Sequence, residues 1–490
     1  MRDMNAEKLT KKNLRTVKRL EPRKVFEYFA RLSSVPHGSG NTGEISRLCA
    51  EMGRELGLET VSDRLGNVII KKPGGAGREN EPPVILQAHL DMVCAVGPGC
   101  KKDMSAEGVE FVLRGGELSA RGTSLGGDDC IGAAIMLALL SDGELSAPPL
   151  EAVFTVDEET GMYGADALDC SLLSGRRMIN IDSEEEGVLT AGCAGGVRVT
   201  LSLPPLETAA PADGEKTFEI TLSGLKGGHS GVEINLGRGN ASTALSRALS
   251  RCLPEGAGLV SWSGGRFDNV IMAECRAAVT AKDAGFEKRL RGEVKKELSS
   301  CPAEDGAKLE IKTVPAAPAL SAADTARIVG LLASLPQGVR KMSPDMEGLV
   351  QTSLNVGRAC VSPGGAGISL SVRSSVREEK EELVRELGSI ASDHGFSMSC
   401  AGDYPGWKFE PVSPLRDAFE KTYLDLYCWK PETVAIHAGL ECGFFADRIP
   451  GLDCVSVGPD IKDIHTFRET LSVSSTDRLY RLIREVLSEI

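Results

Sequence analysis

VILQAHLDMV, residues 84–93, is the stretch that decides the fold class. Val84 to Leu90 is almost wholly apolar and lacks the two-residue alternation of a half-exposed strand, so it predicts a strand buried on both faces. Working outward, two more such runs follow at Ala152 to Val156 and Met178 to Ile181, with an apolar helix, Ile131 to Leu140, between the first two strands. Upstream, Lys24 to Leu32 and Gly43 to Leu56 have helical spacing, and Asn67 to Lys72 is a strand stopped by Pro73 and a glycine-rich turn. Strands alternating with helices predict an α/β layer domain.

The pattern changes near Pro204. Leu206 to Lys216 is polar and rich in Pro and Ala, and strands at Phe218 to Leu222, Leu309 to Thr313 and Ile368 to Val372 alternate with amphipathic helices. After Tyr404-Pro405-Gly406-Trp407 the α/β character returns. The chain therefore reads as an α/β domain in two parts, residues 1–204 and 403–490, interrupted by an α+β insert at 205–402.

Composition narrows the function classes. A net charge of −13 argues against a nucleic-acid partner, which needs a basic face. No apolar run is long enough to span a membrane, and the charged first twenty residues hold no secretory h-region. The 14 cysteines are irregularly spaced with no CxxC pair, which predicts free thiols in the cytoplasm.

Six histidines are few enough to place individually. His89 closes the Val84 run, and Asp91 lies two residues on, on the same face of an extended chain. Its carboxylate can reach the ring, the arrangement that fixes the tautomer of a metal-bound histidine; a core histidine satisfied by a neighbouring acid is the other reading of this motif alone. Asp157-Glu158-Glu159 closes LEAVFTVDEETG, and Asp182 closes RRMINIDSE. Ligands gather beyond the carboxyl ends of strands in α/β sheets, though acids there also start loops and cap helices. Asp128 and Asp129, in TSLGGDDCIG, precede the Ile131 helix, where N-capping is the alternative role. His465, in DIHTFRE, has a loop-like context. Carboxylates mixed with imidazoles, and no cysteine, suit zinc, manganese or cobalt in a hydrolytic site. Two such metals need a bridging carboxylate. Glu158 and Glu159 diverge in an extended segment, so one can ligate while the other serves as general base.

HLDMV, SLGGDDCIG, VDEETGM, NIDSEE and DIHTFRE, in this order and spacing, resemble the dinuclear-zinc aminoacylase and carboxypeptidase superfamily, and within it the aminoacyl-histidine (Xaa-His) dipeptidases. The resemblance extends from about Leu20 to the C-terminus, through the PGW segment and IHAGLECGFF. It implies a zinc-peptidase-like catalytic domain, a mixed sheet flanked by helices, with the insert as an α+β lid and dimerisation domain. It implies two divalent metal ions, zinc with manganese or cobalt as alternatives. His89 and Asp182 would bind one, Glu159 and His465 the other, and Asp128 would bridge them. Glu158 would then be the general base and proton donor, with Asp91 orienting His89. A cis peptide between Asp128 and Asp129 is a further implication. In the insert, His229 in GGHSG, Asn269 in FDNVI and Arg373 in SVRSS match substrate-holding positions. Arg373 has the planar fork for a free carboxylate, and His229 suits an oxyanion; read alone, each is an ordinary surface or turn residue. His437 lies in a segment near the family's site. Cys130 departs from the pattern, which favours a small residue there, often glycine.

The activity implied is hydrolysis of small peptides, namely dipeptides including Xaa-His substrates such as carnosine, by a homodimer. An amidase or deacylase of N-acyl amino acids would use the same two metals, and a metal-binding protein without turnover is the alternative outside enzymes. Three signals fall away. Gly38 to Gly43 matches GxGxxG but follows a helical pattern, not a strand. GGHSGV is not the GxSxG of a serine nucleophile. His37 and His394 read as loop or surface residues without partner acids.

Overall fold

Residues 2–299, 301 and 306–490 are described by the computed structural model, and they fall into two compact units. The first comprises Met1–Cys193, Trp407–Ala435 and Leu440–Ile490. Its central sheet has the strand order Glu59–Ser62, Val68–Lys72, Leu150–Thr155, Val84–His89, Arg177–Asn180, Asp453–Ser456, Val188–Cys193, Glu432–Ile436. Val84–His89 is parallel to both Leu150–Thr155 and Arg177–Asn180, and Asp453–Ser456 extends that parallel set. The outer strands Val68–Lys72 and Glu59–Ser62 run antiparallel, so the sheet is mixed.

Every residue of Val84–His89 and Leu150–Thr155 is buried. Parallel strands need crossovers on the sheet faces, which is why these strands are apolar without alternation. One crossover is the helix Gly127–Ser141, buried from Asp129 to Leu140. A helix apolar on all sides belongs in the interior. Its Ile135 joins Phe26 and Phe29 in the core cluster of this unit. The helix begins four residues before its apolar run, and Asp128 and Asp129 have non-helical backbone angles (ψ 109° and 26°). The peptide between them is cis. Cys130 is buried with its Sγ 3.5 Å from the Leu90 carbonyl, so the thiol is taken up by packing.

The second unit is Ala194–Gly406 with Ile436–Gly439. Its large sheet is antiparallel and includes the long hairpin Val350–Ser362 and Gly365–Ser374. Ile368, Leu370 and Val372 alternate inward, as an antiparallel strand with one covered face should. They join Trp262, Phe286 and the helices Ala241–Cys252 and Ala322–Ser334 in a separate core. Asn240 and Ser321 cap those helices through side-chain oxygens. Among the described residues, no helix is long and apolar enough to cross a membrane.

Candidate metal centre

Three parallel strands of the first unit end at one edge of its sheet, and each delivers acids or a histidine there. His89 is the last residue of Val84–His89, Glu158 and Glu159 follow Leu150–Thr155, and Asp182 follows Arg177–Asn180. His89 Nε2 lies 3.1 Å from Asp128 Oδ1 and 3.3 Å from Asp182 Oδ1. His465 Nε2 lies 3.1 Å from Asp128 Oδ2 and 2.9 Å from Glu159 Oε1. The two oxygens of Asp128 thus face different histidines, and each histidine has an acid of its own. Donor atoms of His89, Asp128 and Asp182, and of Asp128, Glu159 and His465, form two groups compact enough to hold a metal ion.

The electrostatics fit cations. Burial works against charge on His89, yet Asp182 and Asp128 hold its pKa well above the ordinary value. Hydrogen bonds to Asp128 and Glu159 push His465 up to about 10. Burial and neighbouring acids lift Asp182 to about 6. Protons and divalent cations compete for the same lone pairs, so a site that gathers protons this strongly also gathers metals. Hard oxygens with imidazoles and no thiolate are the donors that zinc, manganese or cobalt would take. Burial and the nearby carboxylates of Asp182, Glu441 and Glu159 raise the Glu158 pKa well above the usual carboxyl range.

The supporting residues are specific. The His89 Nδ1 lies 3.0 Å from the main-chain oxygen of Asp91 and 3.5 Å from its carboxylate. A Nδ1–H donated to that carbonyl leaves Nε2 as the free lone pair. The Asp91 carboxylate accepts from the backbone N–H of Glu158 at 3.0 Å and of Glu159 at 3.3 Å, and from Ser39 Oγ at 2.8 Å. One acid therefore holds both the histidine and the two glutamates. The capping role belongs to Asp129, which accepts from Gly132 N–H at 3.2 Å and from His89 N–H at 3.2 Å; the Asp128 side chain is turned to the histidines.

Several supports lie in motifs seen in the sequence but have roles that the sequence did not assign. Glu469 accepts from the backbone N–H of Leu125 (2.7 Å), Gly126 (3.0 Å), Gly127 (2.7 Å) and Asp128 (3.4 Å), gripping the turn that presents Asp128. Gly126 sits there at φ +68°, which glycine adopts at little cost. The Gly38–Gly43 segment is part of this shell. Ser39 binds Asp91, and Gly40 N–H donates to Asp157 Oδ1 at 2.6 Å. Asp157 (φ 57°) and His465 (φ 60°) are both left-handed, an uncommon conformation for residues with a Cβ. His37, read from sequence as a loop or surface residue, is 2 % exposed; its Nδ1 lies 2.7 Å from the Val35 carbonyl and the Gly126 turn covers it. His394 follows the helix Arg377–Asp393, with Nδ1 2.9 Å from the Ile390 carbonyl.

The remaining sequence-derived residues lie in the second unit. His229 Nδ1 accepts from Gly231 N–H (3.2 Å) and Val232 N–H (3.3 Å), leaving Nε2–H as a donor. Burial and Arg373 lower the His229 pKa, which keeps that neutral tautomer. Arg373 donates from Nη1 to the Tyr404 hydroxyl at 3.0 Å, and its buried Nε has no partner among the described residues. Ser353 stands opposite Arg373 in the hairpin register and its Oγ lies 2.7 Å from His437 Nε2. Asn269 is exposed and joins this group through its main-chain oxygen, which accepts from Ser230 N–H at 2.9 Å.

Comparison with known proteins adds three findings. Residues 85–489 match the model of peptidase family M20/M25/M40. The chain is 37% identical over 477 residues to the cytosol non-specific dipeptidase of Escherichia coli (strain K12), covering 96% of this chain and 98% of that one. The crystal structure of aminoacylhistidine dipeptidase from Vibrio alginolyticus superposes with a TM-score of 0.92 at 33% identity, covering 97% and 98% of the two chains. Aminopeptidase PepT from Bacillus cereus shares the fold, with a TM-score of 0.56 at 16% identity over 96% and 99% of the chains.

Proposed function

The chain belongs to peptidase family M20/M25/M40, and from that premise we propose that it hydrolyses dipeptides in the cytosol with the help of two divalent cations. Zinc is the first choice, with manganese or cobalt as substitutes. The observation that carries the reading is Asp128, whose two carboxylate oxygens each lie 3.1 Å from a different histidine. His89 and Asp182 would hold one ion, Glu159 and His465 the other, and Asp128 both. When bound, such a pair polarises the scissile carbonyl and lowers the pKa of water from about 15.7 toward about 7.

This chain's own groups do the rest. Glu158 takes the proton of the attacking water and passes it to the leaving amine. Asp91 keeps Glu158 and Glu159 aimed by accepting from both their N–H groups. Residues 205–402, with His437 from the segment Ile436–Gly439, supply the substrate-holding side chains. Arg373 grips the free carboxylate of the dipeptide, His229 Nε2–H donates to the developing oxyanion, and Asn269 and His437 complete the grip. The substrate range is broad, with Xaa-His dipeptides such as carnosine included, in line with the names of both relatives. The same reading has a homodimer assembling through residues 205–402, which light scattering of the purified protein checks.

Hydrolysis of carnosine and a panel of other dipeptides tests the proposal, run as purified, after chelation, and after zinc or manganese is restored. Activity should vanish on chelation and return with metal. Glu158→Gln should lose turnover by about 10²- to 10⁴-fold while retaining its metal. Metal-independent cleavage, or full activity in that variant, would refute the mechanism. Cleavage confined to N-acylated amino acids would replace dipeptidase with deacylase.

A further inference from the structure

The strands that carry the metal ligands are tied together by a buried polar ladder that ligation does not explain. Gln87 stands two residues before His89, Thr155 is the register partner of His89, and Asn180 is that of Gln87. All four side chains therefore share one face of the sheet, directly inboard of the metal centre. Asn180 Nδ2 donates to Gln87 Oε1 at 2.5 Å. Gln87 Nε2 lies 3.2 Å from Thr155 Oγ1 and donates to Glu441 Oε2 at 2.6 Å. Thr155 Oγ1 donates to the same Glu441 oxygen at 2.6 Å.

Glu441 is the anomaly. It precedes the short helix Cys442–Arg448 and is 0 % exposed, as are Gln87, Thr155 and Asn180. Its side-chain hydrogen-bond partners are an amide and a hydroxyl, both neutral, and its Oε1 has no partner among the described residues. Burying an uncompensated carboxylate is costly, and an apolar side chain of similar volume would serve packing better. Burial accordingly lifts its pKa to about 8. Packing alone does not account for an acid here.

We propose that Glu441 is a positioning residue for the metal centre: by accepting from both Gln87 and Thr155 it fixes the register and side-chain rotation of the strands that end in His89, Glu158–Glu159 and Asp182. A single oxygen receiving two donors from adjacent strands constrains both at once. The strand ends then meet as a preformed ligand set instead of gathering around each arriving ion. The inference rests on the metal-dependent reading above, but its metal-binding consequence stands whatever the substrate.

Two substitutions separate hydrogen bonding from bulk. Glu441→Gln keeps an oxygen able to accept both donors, whereas Glu441→Leu fills similar space and accepts neither. The readouts are zinc affinity by chelator competition, and kcat and KM on a cleaved dipeptide at saturating zinc. Glu441→Leu should bind zinc about 10- to 100-fold more weakly and lose kcat by a similar factor with KM little changed, while Glu441→Gln stays within about threefold of the parent in both. Wild-type zinc affinity in Glu441→Leu would overturn the proposal. So would equal damage in both variants, which would make charge the property that matters. Should Glu441→Leu not fold, Thr155→Val, which deletes one donor and keeps the branched shape, decides: weakened zinc binding supports the proposal and unchanged binding overturns it. Absence of any dipeptide cleavage would sink the assigned reaction, and the zinc titrations would still judge Glu441.

Discussion

His437 shows how far one buried side chain can set a pH limit. Burial and the Arg373 guanidinium push its pKa down to about 3, against the ordinary 6.5. The folded state therefore refuses a proton that the unfolded chain takes up below about pH 6.5. The stability that goes with the neutral ring is complete above that pH and is lost as pH falls toward the folded value. Between pH 6.5 and 5 the loss should be about 1.5 kcal/mol. Denaturant unfolding at both values measures it, because His437→Gln should lose less than the parent by about that amount; equal losses would refute the assignment. At this scale the site was partly legible. His89 and Asp182 stand where apolar runs end, and the mixture of donors named the chemistry. What could not be read is how one acid divides its atoms. Asp91 offers its carbonyl to the histidine and its carboxylate to Glu158 and Glu159, and Asp129 caps the helix so that Asp128 is free to face the histidines. Such choices depend on backbone angles, which residue type and spacing do not encode.

The turn Leu125–Asp128 is the element on which Asp128, the proposed bridging acid, hangs. It has no regular hydrogen-bonding of its own at its start, and Glu469 supplies the acceptors instead. Glu469→Ala would strand several buried N–H groups and should cost about 3 kcal/mol of unfolding free energy while weakening metal binding. Paired denaturation and zinc titration check it, and an unchanged variant on both would show that water replaces the carboxylate. The neighbouring helix Gly127–Ser141 was legible from its ten-residue apolar run, because full burial and full apolarity are the same fact seen twice. The role of Glu469 was not, although it closes the DIHTFRE motif, since it lies more than 300 residues from the turn it holds. The Gly38–Gly43 segment shows the reverse problem. Its glycines match a phosphate-binding pattern, but their use here is to bring Ser39 and Gly40 N–H against Asp91 and Asp157.

Over the whole molecule, the proposed cations would offset the crowding of Asp128, Glu158, Glu159 and Asp182 in the first unit. Removing the metals should therefore lower the melting transition of that unit while leaving that of Ala194–Gly406 in place. At free metal a thousandfold above its dissociation constant the linked stabilisation is about 4 kcal/mol. Calorimetry with and without chelator checks this, and an unmoved first-unit transition would mean the metals contribute nothing to folding. The α/β class was legible in sequence because buried parallel strands and alternating antiparallel strands differ in composition. The sheet order was not, because Asp453–Ser456 inserts between Arg177–Asn180 and Val188–Cys193 from the far end of the chain. That threading has a consequence on the ribosome. A growing polypeptide displays His89, Asp128, Glu159 and Asp182 long before translation reaches the strand that completes their sheet, or His465 and Glu469 beyond it. Under the proposed ligand set, peptide-cutting power thus waits until both Asp453–Ser456 and His465 have been synthesised.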